Sequence, residues 1–461
     1  MSKSKIELKA CIFKEVPNTF HFLVYLCFYS TILYFISHKF LKTKLNWFTL
    51  HSDWKIEPII ISKCMKKLVN LALVSSLLLS ASAIMTSCSK GGNPTSNSPG
   101  AQSTTTGVPY NEDDGFQVSP YSGQPDGPNL VYIEGGRSVL GSFEEDMLAS
   151  RDNVEKTVTV ASFFMDETEV ANIHWLEYMF HLGRDSSAER AAAAIPDTLV
   201  WKSELAYNDP YVDHYLRYPG FRYFPVVGVS WKQADDYSRW RTNVVNYNLA
   251  KGAGVEIPQD GGRIPLESGV VLPNYRLPSE SEWEYAAYAL IGNQWLDENQ
   301  SQSRLYPWDG HALRNPYGSE MGFFLANFKR GRGDYAGIAG KLNDGAMITE
   351  YIYNYPPNDY GLYNMAGNVS EWVYDVYRPL SFEVIDDLNP LRRDGYLDAK
   401  EGYDKKNFQS LIDDNVRVYK GGSWKDVAFW MSPGNRRYLE EDSSTSTIGF
   451  RCAMIKAGTN Y

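Results

Sequence analysis

Thiols and imidazoles are the side chains most able to do covalent or redox chemistry, and here they are sparse and scattered. Cys11, Cys27, Cys64 and Cys88 all precede residue 90, and Cys452 alone follows. A disulfide framework within the later part of the chain is therefore excluded, because a bridge needs two thiols. His174 and His181 stand about two helical turns apart and could share one face. No carboxylate accompanies them at the spacing of a two-histidine, one-carboxylate iron site. His214 and His311 are isolated. These four, the histidines that follow residue 90, are expected to be structural or superficial, and no Ser/His/Asp or P-loop pattern is present.

The reactive position the sequence does mark is Cys88. Lys66 and Lys67 form a positive region, Leu68 to Leu79 an apolar stretch of signal-peptide length, and small residues follow. Met85-Thr86-Ser87-Cys88 then reads as a bacterial lipobox, in which the Cys88 thiol is acylated and becomes the mature N-terminus. Residues 65–87 are thus expected to be a lipoprotein signal peptide. A signal of this kind belongs at an N-terminus, so translation is expected to start at Met65, with 1–64 a mis-called upstream extension. The alternative is a membrane helix over the apolar stretch 20–37. Residues 88–127, rich in Ser, Thr, Gly and Pro, are expected to be a flexible tether.

The elements that must position anything further lie after Pro128. Net charge is -10 and no basic run occurs, which argues against a nucleic-acid partner. Aromatic residues are 14% of the chain, enough to pin long loops. Residues 130–133 and 158–165 read as strands. Asn172 is placed to cap a helix whose Ile173, Leu176 and Phe180 share a face. Ser230 with Gln233, and Ser279 with Glu282, form capping boxes. Trp231, Ala234 and Tyr237 come after the first, and Trp283, Tyr285, Ala286 and Ala287 after the second, as core stripes. After residue 300 the spacing predicts mostly loop.

Five segments occur in a fixed order: 164–170 (FMDETEV), 225–231 (PVVGVSW), 275–287 (YRLPSESEWEYAA), 358–372 (NDYGLYNMAGNVSEW), and 421–424 (GGSW) with 448–452 (IGFRC). Together they resemble the formylglycine-generating, or sulfatase-modifying-factor, domain over about 128–457. The resemblance implies a C-type-lectin-like α+β fold, loop-rich, with short strands and few helices. Catalytic members oxidise a substrate cysteine with two copper-binding cysteines just after the Gly-Gly-Ser segment. The matching positions here hold Asp426 and Met431, and Cys452 matches a cysteine outside that pair. Copper and iron are therefore not expected. Structural calcium is, because the family binds it through oxygen ligands. Asn364, Gly367, Val369 and Glu371 match one ligand set. Asn327, Phe328, Asp344 and Ala346 match a second, with a spacing that departs by about three residues.

Within the family, residues 355–379, 326–335 (ANFKRGRGDY) and 416–420 (VRVYK) are similar to the GldJ group of gliding-motility lipoproteins of Bacteroidetes. The GldK/PorK ring lipoproteins of the type IX secretion machinery share many of these features. That resemblance implies a non-catalytic outer-membrane lipoprotein, facing the periplasm through its acyl chains and docking other gliding and secretion subunits such as the ring lipoprotein. Arg436, Arg437 and Tyr438 are the candidate docking residues, since Tyr and Arg dominate interface hot spots. Two rival readings are a metal-dependent oxidase with altered ligands and a glycan- or peptide-binding module.

Overall fold

The computed structural model describes residues 101–458 apart from 114, 120, 122, 142–151, 256, 258–262, 292–303, 341–342, 379–384 and 394–413. The expected signal peptide, Cys88, the stretch 20–37 and the start of the tether lie outside the described residues. The chain divides after Tyr110 into two compact units. In the first, residues 101–110 form a turn in which Gly107 N donates to Ser103 O and Gln102 bridges Pro109.

In the second unit the strands are short and sorted into three sheets. β1 (Leu130–Ile133) pairs antiparallel with β4 (Phe163–Asp166), and β4 with β9 (Ala453–Ile455). β2 (Gly136–Leu140) and β3 (Lys156–Val160) form a separate antiparallel pair. The largest sheet runs in the order β7-β6-β5-β8, with β5 spanning Ser370–Val376, β6 Val416–Lys420, β7 Arg437–Glu440 and β8 Ile448–Gly449. β5 is buried along nearly its whole length, runs antiparallel to β6 and parallel to β8, and carries a register shift between Trp372 and Val376.

The single strand expected over 158–165 is instead two, β3 and β4. At the break, Gly135 packs so closely that an added Cβ would lie 2.4 Å from Ser162 N, and Ser162 Oγ accepts from Gly135 N. Asn389 Oδ1 takes the freed N–H of Ala161 at 2.6 Å. The interruption lets one run of chain serve two sheets. At the N-terminal side, Tyr121 OH donates to Ala457 O (3.2 Å) and Ala457 N to Gln124 Oε1 (2.7 Å), so this part of the expected tether docks on the end of the chain.

Helix α1 (Asn172–Asp185) starts one residue earlier than expected, because Ala171 and not Asn172 is its N-cap. The Ala171 N–H donates to His174 Nδ1. Asn172 turns inward and donates to Tyr215 O (3.1 Å) and Phe221 O (2.9 Å). Its buried face is Trp175, Tyr178 and Leu182, whereas Phe180 is 65% exposed. Trp175 stacks on Tyr237 (centroids 5.4 Å apart) and meets the edge of Phe450. That aromatic pile outcompetes the stripe of Ile173, Leu176 and Phe180. α2 (Ala188–Ala193) and α3 (Asp209–His214) are short. α4 (Trp231–Ala253) and α5 (Glu280–Tyr288) begin with the expected capping boxes and bury the expected stripes.

One core joins α1 and α4 to Trp372 of β5 and Phe450; a second joins α5, β3 and β4 to Val373 and Val418. Trp175, Trp283 and Trp372 are fully buried, and truncating any one is expected to cost about 3–5 kcal/mol. The architecture is α+β with few helices, short strands and long loops. Among the described residues, no helix is long and apolar enough to cross a membrane.

Candidate functional site

The two positions that the resemblance aligns with the family's thiols, Asp426 and Met431, come after β6. Gly421 (φ 95°) and Gly422 (φ 71°) turn the chain in left-handed backbone, and side chains there would press on Trp283 and Trp430. The turn delivers Asp426 to Arg437 at the start of β7. The guanidinium donates to both Asp426 oxygens, at 2.8 and 2.7 Å, and to Ser370 Oγ at 3.1 Å. Ser423 Oγ also donates to Asp426. The Arg437 Cζ lies 4.7 Å from the Trp430 ring centre and 4.9 Å from that of Tyr419. Met431 is fully buried with Tyr306, Ala326, Phe328 and Ala366. One thiol position therefore holds a satisfied, ring-stacked ion pair and the other a core thioether. Neither offers a thiolate for a soft metal. Cys452 is buried in the core that holds Trp175, Tyr237 and Trp372, 3.3 Å from Ser238 Oγ, and burial pushes its thiol up to about 12.

The histidines are not brought together. His174 is spent on the α1 cap, and burial lowers its pKa. His181 lies beside Arg184 and Asp185 on the surface, His214 packs against Tyr218, and His311 is exposed.

The first calcium set is gathered in the loop 364–369 and the start of β5, and Asn364 and Gly367 take positive φ. Its carboxylate is not available. Both Glu371 oxygens accept from Arg451 at 2.7 Å, and Oε2 also accepts from Trp283 Nε1 at 2.7 Å. Glu371 and Arg451 are both fully buried, so the first set does not fit a divalent cation. In the second set, Asp344 accepts from Arg330 and from Ala346 N. Asn327 Oδ1, by contrast, is buried with no hydrogen-bond partner. A buried acceptor without a donor is costly alone and fits an oxygen-ligated cation, but both Asp344 oxygens already accept, as those of Glu371 do, so Asn327 Oδ1 is the member of the second set that points to an ion.

Two residues that sequence reasoning missed link these sets. Glu169 accepts from Asn364 Nδ2 (2.7 Å) and Asn368 Nδ2 (3.0 Å), all three side chains being buried. Burial pushes the Glu169 carboxyl up to about 8, with Glu371 adding to the rise and Arg451 opposing it. Asn368 Oδ1 in turn accepts from Asn327 Nδ2. Both lie in the segments 164–170 and 358–372, whose order marked them but whose spacing gave no pairing.

The expected docking triplet is corrected in part. Arg436 is buried, donates to Asp152 O (3.1 Å) and Arg378 O (3.2 Å), and lies 3.5 Å from Glu280. Arg437 is held by Asp426. Tyr438, 40% exposed and stacked on Tyr377 at 3.9 Å, is the member that faces solvent. Alternation along β7 puts Arg437 and Tyr438 on opposite faces, and Arg436, just before the strand, is drawn inward by Glu280 and two backbone carbonyls.

The Sulfatase-modifying factor enzyme 1-like domain family matches residues 116–456. A formylglycine-generating enzyme of Mus musculus is 27% identical, covering 70% of this chain and 74% of its own. An inactive C-alpha-formylglycine-generating enzyme 2 of the same organism is 25% identical, covering 72% and 87%. A serine/threonine-protein kinase pkn1 of Chlamydia pneumoniae is 26% identical over 72% of this chain, which spans only 38% of that protein. These similar proteins include both enzymes and inactive members.

Proposed function

The chain belongs to the sulfatase-modifying factor enzyme 1-like family, and from that premise we propose that it is a non-catalytic member that serves as a scaffold in the cell envelope. The observation that carries this reading is the Asp426–Arg437 pair. A bidentate guanidinium–carboxylate contact sits where the family's redox chemistry needs a thiolate, and Met431 fills the companion position. An acylated Cys88 anchors the protein to the outer membrane, facing the periplasm, and the tether lets the domain reach subunits of the gliding and type IX secretion machinery. Exposed rings such as Tyr438 contribute to that contact. A structural calcium ion at the second ligand set supports the loops after residue 300, with Asn327 Oδ1 as its buried donor.

The test is purification from the native envelope in mild detergent, with elemental analysis of the product. Secretion subunits should co-purify and be lost in Cys88→Ala, with copper and iron below stoichiometry. Stoichiometric copper or iron, together with oxidation of a thiol peptide, would instead establish the altered-ligand oxidase.

A further inference from the structure

The excursion between α2 and α3 carries apolar side chains that the core does not use. Leu205 is 98% exposed, Tyr207 84% and Leu199 63%. Single exposed apolar residues are ordinary, but three within nine residues on one loop mark a contact surface. The loop is held at its stem. Trp201 is buried, with its ring 4.8 Å from that of Tyr215 and 5.8 Å from that of Trp424. Beyond it, Ser203 and Ala206 bridge across a tight turn, and Asn208 N donates to Ala206 O at 3.1 Å. Leu205 therefore stands at the tip of a turn that is ordered before any partner arrives, which lowers the entropy lost on association.

We propose that this tip docks a protein subunit through an apolar, basic-rimmed pocket that takes Leu205 and Tyr207. This rests on the scaffold reading and names the part of the surface that does the docking. Two observations choose a protein over a lipid bilayer. The first is where the anchored end of the chain meets the domain. Gln233, in the first turn of α4, donates to Ala193 O (2.8 Å) and Ile195 O (3.1 Å), and Asp197 N donates to Gly228 O, so the stem is tied to the start of that helix. The segment arriving from Cys88 instead places Gly123 and Pro125 in one cleft with Leu249 and Ala253, at the end of α4. Gln233 and Leu249 are about 24 Å apart along the helix axis. The tip and the anchored end thus belong to opposite ends of α4. The second observation is charge. Residues 199–213 expose Glu204, Asp209 and Asp213 against Lys202 alone. That balance repels anionic headgroups and suits a pocket with a basic rim.

The experiment places a benzophenone amino acid at position 207 of the full lipoprotein in native envelopes, with position 317, where Tyr317 is 79% exposed, as the control. The mild-detergent purification is then repeated with Leu205→Ser. Light should join one of the subunits that co-purify with wild type to position 207 and none to position 317. Leu205→Ser should lose that same subunit by at least about 10-fold, the worth of burying a leucine side chain. Its melting temperature should not change, because the residue it replaces is exposed. Retention of every subunit by Leu205→Ser overturns the docking tip and leaves the scaffold reading standing. No subunit with wild type removes the scaffold reading and the tip with it. An adduct of two copies of this chain reassigns the tip to self-association. Flotation of the unacylated Cys88→Ala chain with phosphatidylethanolamine vesicles, lost on adding Leu205→Ser, reassigns it to the bilayer. Either of these last two results overturns the proposal.

Discussion

Replacing Arg451 with methionine is the most informative single perturbation of the core. Arg451 and Glu371 are each 0% exposed, and Arg451 meets both carboxylate oxygens at 2.7 Å. Its remaining N–H groups serve Tyr363 O (2.6 Å) and Asp166 O (3.1 Å). Methionine fills much of the volume but leaves Glu371 charged, buried and supported by the Trp283 N–H alone. Breaking one side of a buried pair costs about 3–5 kcal/mol, mostly as the penalty on the abandoned charge. Against a total stability of about 5–15 kcal/mol, that is a large fraction. Urea melts followed by tryptophan fluorescence give the cost, and Glu371→Gln alone and with Arg451→Met complete a cycle. The double variant should be more stable than Arg451→Met by about 1–3 kcal/mol, because the orphaned charge is gone. A loss below about 1 kcal/mol in Arg451→Met, or a double variant no more stable than that single one, refutes the reasoning. A gain in calcium affinity in Arg451→Met at unchanged stability would return Glu371 to the ligand set.

Buried groups give three further expected outcomes. Burial, then the charge of Glu280, raises Asp375 from 3.8 to about 6 against the pull of Arg392. Its contribution is full below the unfolded value and is lost as pH rises from 3.8 to about 6, amounting to at most about 3 kcal/mol. Glu280 behaves oppositely: burial pushes it up, but Arg436, Lys420 and Arg392 prevail and hold it at about 2. Stability is then lost as pH falls from 4.5 to about 2, so urea melts in chelator should peak near pH 4. A monotonic rise from pH 4 to 7 would contradict this. Cys452, raised to about 12 and fully buried, should react with a disulfide reagent only at the rate of global opening; fast labelling of the native protein would disprove its burial. Chelation should lower the melting temperature and added calcium restore it, and an unchanged melt removes the calcium proposal.

What was legible in the sequence was local. The capping boxes at Ser230 and Ser279 are complete within four residues, so nothing distant could overrule them. The loss of the thiol pair needed only residue identities at 426 and 431. What stayed hidden was decided across the fold. α1 carries two apolar stripes of helical spacing, and Tyr237 and Phe450, far along the chain, select the one that is buried. The break between β3 and β4 is set by Gly135 and Asn389. Arg436 reads as a surface charge until Glu280 is seen 3.5 Å away.

The same distinction explains how the family's shape survives where its thiol pair is absent. The loops around Gly421 and Asn364 are held by Glu371–Arg451 and by Lys420 between Glu280 and Glu284, none of which includes position 426 or 431. Exchange at those two positions therefore leaves the frame's buried charges paired. Asp426 then completes a contact of its own by taking Arg437, so the exchange converts a reactive position into a further brace. A fold whose chemistry and rigidity rest on different residues can lose the first and keep the second, and that separation is the physical basis for proposing a scaffold.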